Sequence, residues 1–197
     1  MESIWDIRYN TDSFVYGKDP NGFFTTSLER LTPGRILLPG EGEGRNAVYA
    51  ATMGWEVDAF DQSGMAREKA RSLMQEKGVY FNYQVCKLAD YSFIKEHYDV
   101  IGLVYFHVPP PIRKMLHRNA VEALKPGGRV ILEGFHTSQL GNPSGGPQVL
   151  DMLFDKNTLL DDFQALNHEI LEEVMVNLEE GPAHKGPANL IRYIGKK

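Results

Sequence analysis

The stretch that decides the fold is LLPGEGEGRNAVYAA, residues 37–51. A short apolar run, Ile36-Leu37-Leu38, leads into Gly40, Gly42 and Gly44, and residues 45–53 then have the pattern of a helix. Glycine at alternate positions removes Cβ atoms where a backbone turns sharply and approaches a ligand closely. A plain glycine-rich turn is the alternative, but the strand–turn–helix context favours a nucleotide-binding loop.

The spacing and charge of this glycine loop separate two kinds of nucleotide site. A dinucleotide fold places its third glycine three residues after the second, where this chain has Arg45. Glu41 and Glu43 would repel a pyrophosphate, whereas beside a sulfonium and an α-ammonium they are tolerated or helpful. The loop therefore favours S-adenosylmethionine over NAD. For Glu43, a solvated position is the first expectation and a ligand role the alternative.

Acids at the ends of the next strands complete the expected cofactor site. Asp61, at the tip of the second strand with Gln62 beside it, lies where a ribose diol would be bound, and the odd spacing places Asp58 on the other face. Ser63 is expected to cap the following helix. The third strand leads to Leu88, Ala89 and Asp90 near the adenine. For Asp90, an adenine contact and a surface acid are equally open.

The rest of the chain alternates strand and helix. Strands are predicted at 55–60, 79–85, 99–106 and 129–133, and helices at 64–77 and 112–124, the latter ended by the turn at 125–128. This alternation indicates βαβ units and a parallel, doubly wound α/β sheet. After a helical piece near 158–166, residues 168–178 and 189–194 form an expected antiparallel closing hairpin. We predict one domain, with an N-terminal arm (1–24), a cofactor-binding core (35–135) and a C-terminal cover (136–197).

Composition excludes several function classes. The 197 residues carry a net charge of −5, which disfavours a nucleic-acid partner because phosphate binding needs a basic face. A single cysteine rules out an internal disulfide framework, and the six histidines have no metal-ligand spacing, so no metal is expected. No secretory signal or membrane span is visible. We expect a cytoplasmic monomer or homodimer without a membrane or nucleic-acid partner.

The segment after the fourth strand lies at the carboxyl edge of the sheet, where the ligand crevice of such a fold opens, so it is expected to face the methyl group of a bound S-adenosylmethionine. Phe106 is placed beside the cofactor, and His107 is either a base or acceptor-orienting group or a hydrogen-bonded histidine at the strand end. His136 and His184 are candidates for the acceptor pocket, as is Tyr16 from the aromatic arm. A sulfonium methyl group is a good electrophile, so a soft acceptor needs alignment more than a strong base.

On these motifs the chain resembles class I S-adenosylmethionine-dependent methyltransferases, and within them the tellurite-resistance and thiopurine-type group. The resemblance extends over nearly the whole chain; it includes Trp5–Tyr9, Tyr16–Asn21, the GEGRNA loop, Val57–Ser63, the LKPGG turn at 124–128, Gln139-Leu140 with Gly145–Pro147, and Gly181-x-x-His184-x-Gly186.

The resemblance implies a Rossmann-like, seven-stranded sheet, mostly parallel with an antiparallel last strand. It implies cofactor contacts at Gly40, Gly42 and Gly44, at Asp61 for the ribose, and around Leu88-Ala89 for the adenine. The chain departs from the pattern twice. Leu38 replaces a usual acid, so Glu41 is expected to contact the methionine end instead, and Lys87 replaces an Asp, which shifts adenine recognition to backbone N–H groups.

The sequence thus predicts methyl transfer from S-adenosylmethionine to a small-molecule acceptor, with a sulfur, selenium or tellurium nucleophile as one option. A nicotinamide-dependent oxidoreductase of the same topology is one alternative. A protein that binds S-adenosylmethionine without transferring its methyl group is another.

Overall fold

The computed structural model describes residues 4–197. Its strands are β1 (Arg35–Pro39), β2 (Glu56–Asp61), β3 (Asn82–Val85), β4 (Tyr98–Val104), β5 (Leu124–Phe135), β6 (Asn167–Glu179) and β7 (Lys185–Lys196). Its α-helices are α1 (Ile4–Tyr9), α2 (Gly22–Leu28), α3 (Arg45–Thr52), α4 (Gly64–Lys77), α5 (Pro110–Ala123) and α6 (Lys156–Asp162). Short 3-10 turns lie at Leu88–Asp90, Thr137–Gln139 and Leu150–Met152.

The seven strands form one sheet in the order β3-β2-β1-β4-β5-β7-β6. Strands β1, β2 and β3 pair in parallel, as do β4 and β5, whereas β7 is antiparallel to both of its neighbours. The predicted α/β fold, a mostly parallel seven-stranded sheet with an antiparallel last strand, is confirmed.

The chain divides into two compact units, and each is described by itself. The first comprises the residues up to Ser92 together with Glu180–Ala183, and the second comprises Phe93–Glu179 with His184–Lys197. The predicted division of a single domain into arm, core and cover stays a prediction.

In the first unit, the burial of β1 and the two ends of α4 agree with the sequence-based predictions. Residues Ile36 to Leu38 of β1 are buried, as expected for a central parallel strand. The Ser63 hydroxyl accepts a hydrogen bond from the Ala66 amide at 3.1 Å, which confirms the predicted N-cap of α4. The same helix ends at Gly78, whose φ of 66° is the left-handed conformation typical of a helix stop.

In the second unit, β4 and β5 show how the strand ends depart from the predicted bounds, and β7 also begins earlier, at Lys185 instead of residue 189. Strand β5 begins at Leu124, and the predicted turn at 125–128 is a bulge within it, because Tyr98 pairs with Leu124 and Val100 with Arg129. Strand β4 ends at Val104, two residues earlier than the predicted 106, because the backbone at Tyr105 takes a left-handed φ of 53°.

Candidate functional site

The glycine loop has the backbone conformation that its composition predicts. Gly40, Gly42 and Gly44 have φ values of 62°, 61° and 89°, a region that residues with a side chain rarely adopt. The Gly42 amide donates to Oδ2 of Asp61 at 3.1 Å, and the Glu41 amide donates to the Phe60 carbonyl at 3.2 Å. The loop is therefore fixed against the carboxyl end of β2.

Gly44 serves the packing of two helices. It is the N-cap residue of α3, and a Cβ atom placed on it would lie 2.7 Å from Cβ of Ala70 in α4. Real Cβ atoms do not approach so closely, so α3 and α4 need glycine here. This packing role accounts for the glycine without a ligand, and the cofactor contact predicted at Gly44 stays a prediction.

Two tyrosine hydroxyls flank Gly42. A Cβ atom on Gly42 would lie 2.7 Å from the Tyr9 hydroxyl, and the Tyr83 hydroxyl donates to the Gly42 carbonyl at 2.6 Å. Burial and then the negative charge of Asp61 raise the pKa of both phenols well above 10, so both hydroxyls stay protonated. The sequence singled out neither tyrosine as a cofactor contact; Tyr9 was indicated only as one of the aromatic residues of the arm, and Tyr83, in β3, was not indicated at all.

Asp61 is buried and held by two backbone amides. Its Oδ1 accepts from the Ser63 amide at 2.9 Å and its Oδ2 from the Gly42 amide at 3.1 Å. Burial raises the pKa of this carboxyl, while the amides act in the opposite direction. Each oxygen keeps a further lone pair for a ligand hydroxyl. Gln62, beside it, is exposed, and Asp58 accepts from Nδ2 of Asn82 at 2.8 Å.

Glu41 lies at the N-terminal end of α3. Its Oε1 accepts from the Ala47 amide at 2.7 Å, and burial raises the pKa of its carboxyl from 4.5 to about 7 despite this bond and the nearby Arg45. In a dinucleotide fold the first such helix presents its N-terminal amides to the pyrophosphate. Here a protein carboxylate already occupies one of them, which disfavours a pyrophosphate.

Glu43 corrects the first expectation from sequence, because it is not solvated. Only 4% of it is exposed, and its carboxylate accepts from the Val15 amide at 2.9 Å, from the Tyr16 amide at 3.2 Å and from Nζ of Lys69 at 2.8 Å. These bonds satisfy the carboxylate within the protein, so a ligand role is also disfavoured. Glu43 instead joins the glycine loop to the N-terminal arm.

Arg45 holds the same part of the arm. Its guanidinium donates to the Tyr16 carbonyl at 3.0 Å and to Oε2 of Glu180 at 3.1 Å. The Tyr16 side chain is half-buried, its hydroxyl accepts from Arg8 at 3.0 Å, and its ring lies 6.2 Å from that of Tyr9 in an edge-to-face arrangement. The arm is therefore an ordered part of the first unit. A contact between Tyr16 and an acceptor stays a prediction.

The predicted adenine segment follows β3. Residues Leu88–Asp90 form a 3-10 turn in which Leu88 is half-buried while Ala89 and Asp90 are exposed. The Cys86 amide donates to the Asp61 carbonyl at 2.9 Å, which fixes the start of this segment against β2. The roles of Leu88, Ala89 and Asp90 toward adenine stay predictions.

Of the two roles expected for His107, in the second unit, the hydrogen bonds favour the histidine held at the strand end over the base or acceptor-orienting group. Its Nε2 accepts from the Phe135 amide at 3.0 Å, which leaves the proton on Nδ1 for the Met152 carbonyl at 2.7 Å. Burial lowers the pKa of the ring to about 4. With both nitrogens engaged by the backbone, His107 has no position from which to take a proton from an acceptor. The alternative of a hydrogen-bonded histidine at the strand end describes it better.

The two other predicted histidines differ in their surroundings. His136 caps the 3-10 turn Thr137–Gln139, because its Nδ1 accepts from the Ser138 amide at 3.2 Å; its place in the acceptor pocket stays a prediction. His184 is buried, with its ring centre 4.6 Å from that of Tyr105 and 5.2 Å from that of Phe135, both edge-to-face. Of these two histidines, His184 is the one whose ring packs among aromatic side chains, as in the lining of a ligand pocket.

Tyr105 is a further residue of this cluster that the sequence did not single out. Its left-handed φ of 53° is strained for a residue with a side chain, and such strain concentrates at functional sites. Its hydroxyl donates to Glu133 at 3.1 Å, and this buried carboxylate also accepts from Nε of Arg192 at 2.6 Å. Phe106, the next residue, is half-buried, and its contact with the cofactor stays a prediction.

Two absences were found in the described chain. Within residues 4–197, no three or more His, Cys, Asp or Glu side chains are grouped as metal ligands. No helix in the same range has both the length and the apolar character needed to cross a membrane.

The fold and the glycine loop agree with a methyltransferase when the chain is compared with known proteins. Residues 36–128 match the family model described as "Methyltransferase domain". Other structures that the chain resembles are S-adenosylmethionine-dependent methyltransferases. The matched segment contains the glycine loop and the carboxyl end of β2, so the likeness to a methyltransferase domain includes the candidate cofactor site. No curated protein sequence matches the chain.

Three solved structures are similar over most of the chain. A protein studied for the conversion of a disulfide bond into a thioacetal group during echinomycin biosynthesis matches with a TM-score of 0.76 and 16% identity, over 98% of this chain and 91% of its own. TehB from Haemophilus influenzae matches with a TM-score of 0.74 and 16% identity, over 100% of this chain and 66% of its own. The 1,6-didemethyltoxoflavin-N1-methyltransferase of Burkholderia thailandensis, with 1,6-didemethyltoxoflavin and S-adenosylhomocysteine bound, matches with a TM-score of 0.63 and 18% identity. The match covers 88% of this chain and 74% of its own.

Proposed function

We propose that this protein transfers the methyl group of S-adenosylmethionine to a small-molecule acceptor by in-line displacement. The observation that carries the proposal is the pair of carboxylates at the glycine loop. Asp61 is oriented by two amides, and Glu41 takes the helix N-terminus that a pyrophosphate would need. This arrangement suits a ribose together with a cationic sulfonium or ammonium group, and it disfavours the alternative of a nicotinamide-dependent oxidoreductase.

The assignment of cofactor contacts follows from this arrangement. Asp61 binds the ribose hydroxyls, with Gln62 at the open side, and the backbone at Gly40 and Gly42 lines the path of the methionine portion, with the Tyr9 hydroxyl in the space that a Gly42 side chain would fill. Glu41 lies near the cationic end of the cofactor. Leu88–Asp90 contact the adenine, mainly through backbone N–H groups.

A soft acceptor is the substrate class that the second unit favours. His107, the predicted base, is neutral and fully engaged by the backbone, so no proton acceptor is supplied there. Sulfur, selenium and tellurium nucleophiles attack a sulfonium methyl group without one and need mainly orientation. The resemblance of the chain's motifs to the tellurite-resistance and thiopurine-type group supports this class. We place the acceptor beside His184 and Tyr105.

Calorimetry tests the cofactor part of the proposal. The protein is expected to bind S-adenosylmethionine and S-adenosylhomocysteine and to show no comparable affinity for NAD. Asp61→Asn should weaken binding, whereas Asp58→Asn, which changes the other acid of the same strand, should not. Preference for NAD would overturn the proposal.

A screen of thiol, selenol and tellurite acceptors for release of S-adenosylhomocysteine tests the transfer itself. Release with a soft acceptor, and not with alcohols or amines, is the expected result. Tight cofactor binding without release for any acceptor class would favour a protein that binds S-adenosylmethionine without transferring the methyl group. Gel filtration during the purification would test the expected monomer or homodimer.

A further inference from the structure

We propose that Tyr9 is a cofactor-binding residue whose hydroxyl donates a hydrogen bond to the ribose of S-adenosylmethionine, beside Asp61. This inference rests on the proposed function, because it assigns a further contact in the same site. It concerns a residue of the N-terminal arm that lies outside the glycine loop and outside the ends of the strands.

The first argument is the position of the side chain. Tyr9 is the last residue of α1, only 4% of it is exposed, and its hydroxyl lies against the open face of Gly42. The helix is fixed in this place because Oδ1 of Asp6 accepts from the Ser63 hydroxyl at 2.6 Å. The Ser63 amide in turn binds Asp61. The helix that carries Tyr9 is thus tied to the segment that orients the ribose-binding acid.

The second argument is the hydrogen bonding of the hydroxyl. The neighbouring phenols are engaged, since Tyr83 donates to the Gly42 carbonyl and Tyr16 accepts from Arg8. Among residues 4–197, the Tyr9 hydroxyl has no such partner. No fully buried polar side-chain atom of the described residues lacks a partner, so the small exposed part of Tyr9 includes this hydroxyl. A phenol that is otherwise buried usually finds a partner for its hydroxyl, and here a ligand can provide it.

The third argument is chemical complementarity. A ribose diol offers donors and acceptors, whereas an ionised Asp61 can only accept. The Tyr9 hydroxyl lies against Gly42, and the Gly42 amide donates to Oδ2 of Asp61, so the phenol and the carboxylate lie at the same residue of the loop. A neutral phenol can donate a hydrogen bond, which an ionised acid cannot. Asp61 can therefore accept from the ribose hydroxyls while Tyr9 donates to a ribose oxygen. An acceptor-only group such as the cofactor carboxylate would be repelled by Asp61 and Glu43 at the same place.

Two ligands that share a ribose test the assignment. We would measure the binding of S-adenosylhomocysteine and of 5′-methylthioadenosine, which lacks the amino-acid end, by calorimetry to the full chain. Tyr9→Phe removes only the hydroxyl and should weaken both ligands by a similar factor, of roughly 2- to 12-fold for a neutral hydrogen bond. Tyr49→Phe is the matched control, because the Tyr49 hydroxyl already donates to Glu29 at 2.9 Å; its affinities should equal those of the wild type.

Each outcome decides the inference. Equal affinities in Tyr9→Phe and wild type would overturn it and leave the proposed methyltransferase intact. Weakening for S-adenosylhomocysteine alone would place the hydroxyl at the amino-acid end and overturn the ribose contact. If the wild type binds neither ligand, the proposed function fails and the inference fails with it. Should Tyr9→Phe lower the melting temperature, the double variant with Asp61→Asn decides: effects on affinity that are less than additive support a shared ribose contact, and additive effects overturn it.

Discussion

Replacing Glu41 with Gln should remove a pH dependence from cofactor binding. The Glu41 carboxyl stays protonated at pH values at which an exposed glutamate is ionised, because burial raises its pKa to about 7. A sulfonium or an α-ammonium interacts favourably only with the ionised form. Binding should therefore expel a proton, and affinity should rise as the pH rises toward and through 7.

The size of the effect follows from the fraction ionised. With a pKa of about 7, about 3% of the carboxyls are ionised at pH 5.5 and about half at pH 7. If only the ionised form binds S-adenosylmethionine tightly, the affinity should increase roughly 16-fold over this range. The range stops at pH 7 because the α-amino group of a ligand loses its own proton at about 7.7–8.0.

Calorimetry in buffers with different ionisation enthalpies gives both the affinity and the number of protons released. The wild type should release close to one proton per cofactor at pH 6. Glu41→Gln keeps an oxygen that can accept from the Ala47 amide but cannot ionise, so it should bind with a flat pH profile. The reasoning is refuted if the wild type is equally flat between pH 5.5 and 7, or if the variant keeps the same slope.

Four further predictions concern the glycine loop, the arm and the second unit. Gly44→Ala should lower the free energy of unfolding by about 1–3 kcal/mol in urea titration, because the new methyl group meets Ala70 at 2.7 Å and φ is positive; unchanged stability contradicts this. Asp61→Ala should weaken S-adenosylhomocysteine binding by roughly 1–3 kcal/mol, and wild-type affinity would remove it from the ribose site. Deleting residues 1–22 should abolish turnover and weaken cofactor retention while circular dichroism still shows the sheet; wild-type turnover would make the arm dispensable. His107→Gln should destabilise the fold without changing the pH profile of turnover. Loss of one limb of that profile in the variant would show instead that His107 acts as a base.

The parts of the structure set by local chemistry were predictable from the sequence. The glycine loop, the Ser63 cap and the helix stop at Gly78 each depend on a residue type acting on its own neighbours, and the structure confirms the three conformations. The mostly parallel sheet with an antiparallel last strand was predicted from the alternation of strand and helix and from the family resemblance, whereas the order of the strands was not.

The parts set by distant contacts were not predictable. Glu43 looks like a surface acid in its local sequence, and only the fold brings the amides of Val15 and Tyr16, which precede it by 28 and 27 residues, to its carboxylate. The partners of His107 are backbone groups 28 and 45 residues away, which no local pattern indicates. The LKPGG segment joins a strand because its glycines meet the far end of β7, where the Lys197 amide donates to the Gly128 carbonyl at 2.9 Å.

The bonds between Glu43 and the arm have a consequence for local opening of the molecule. The Val15 and Tyr16 amides are protected from solvent by a side chain of the glycine loop itself, so their hydrogens can exchange with water only when that loop or the arm opens. Their exchange rates therefore report on the closed state of the loop without any label near it. A ligand that holds the loop closed would slow the hydrogen exchange of these two amides without contacting them. The Val15 and Tyr16 amides can therefore report loop closure when the protein is titrated with ligands that it does not methylate.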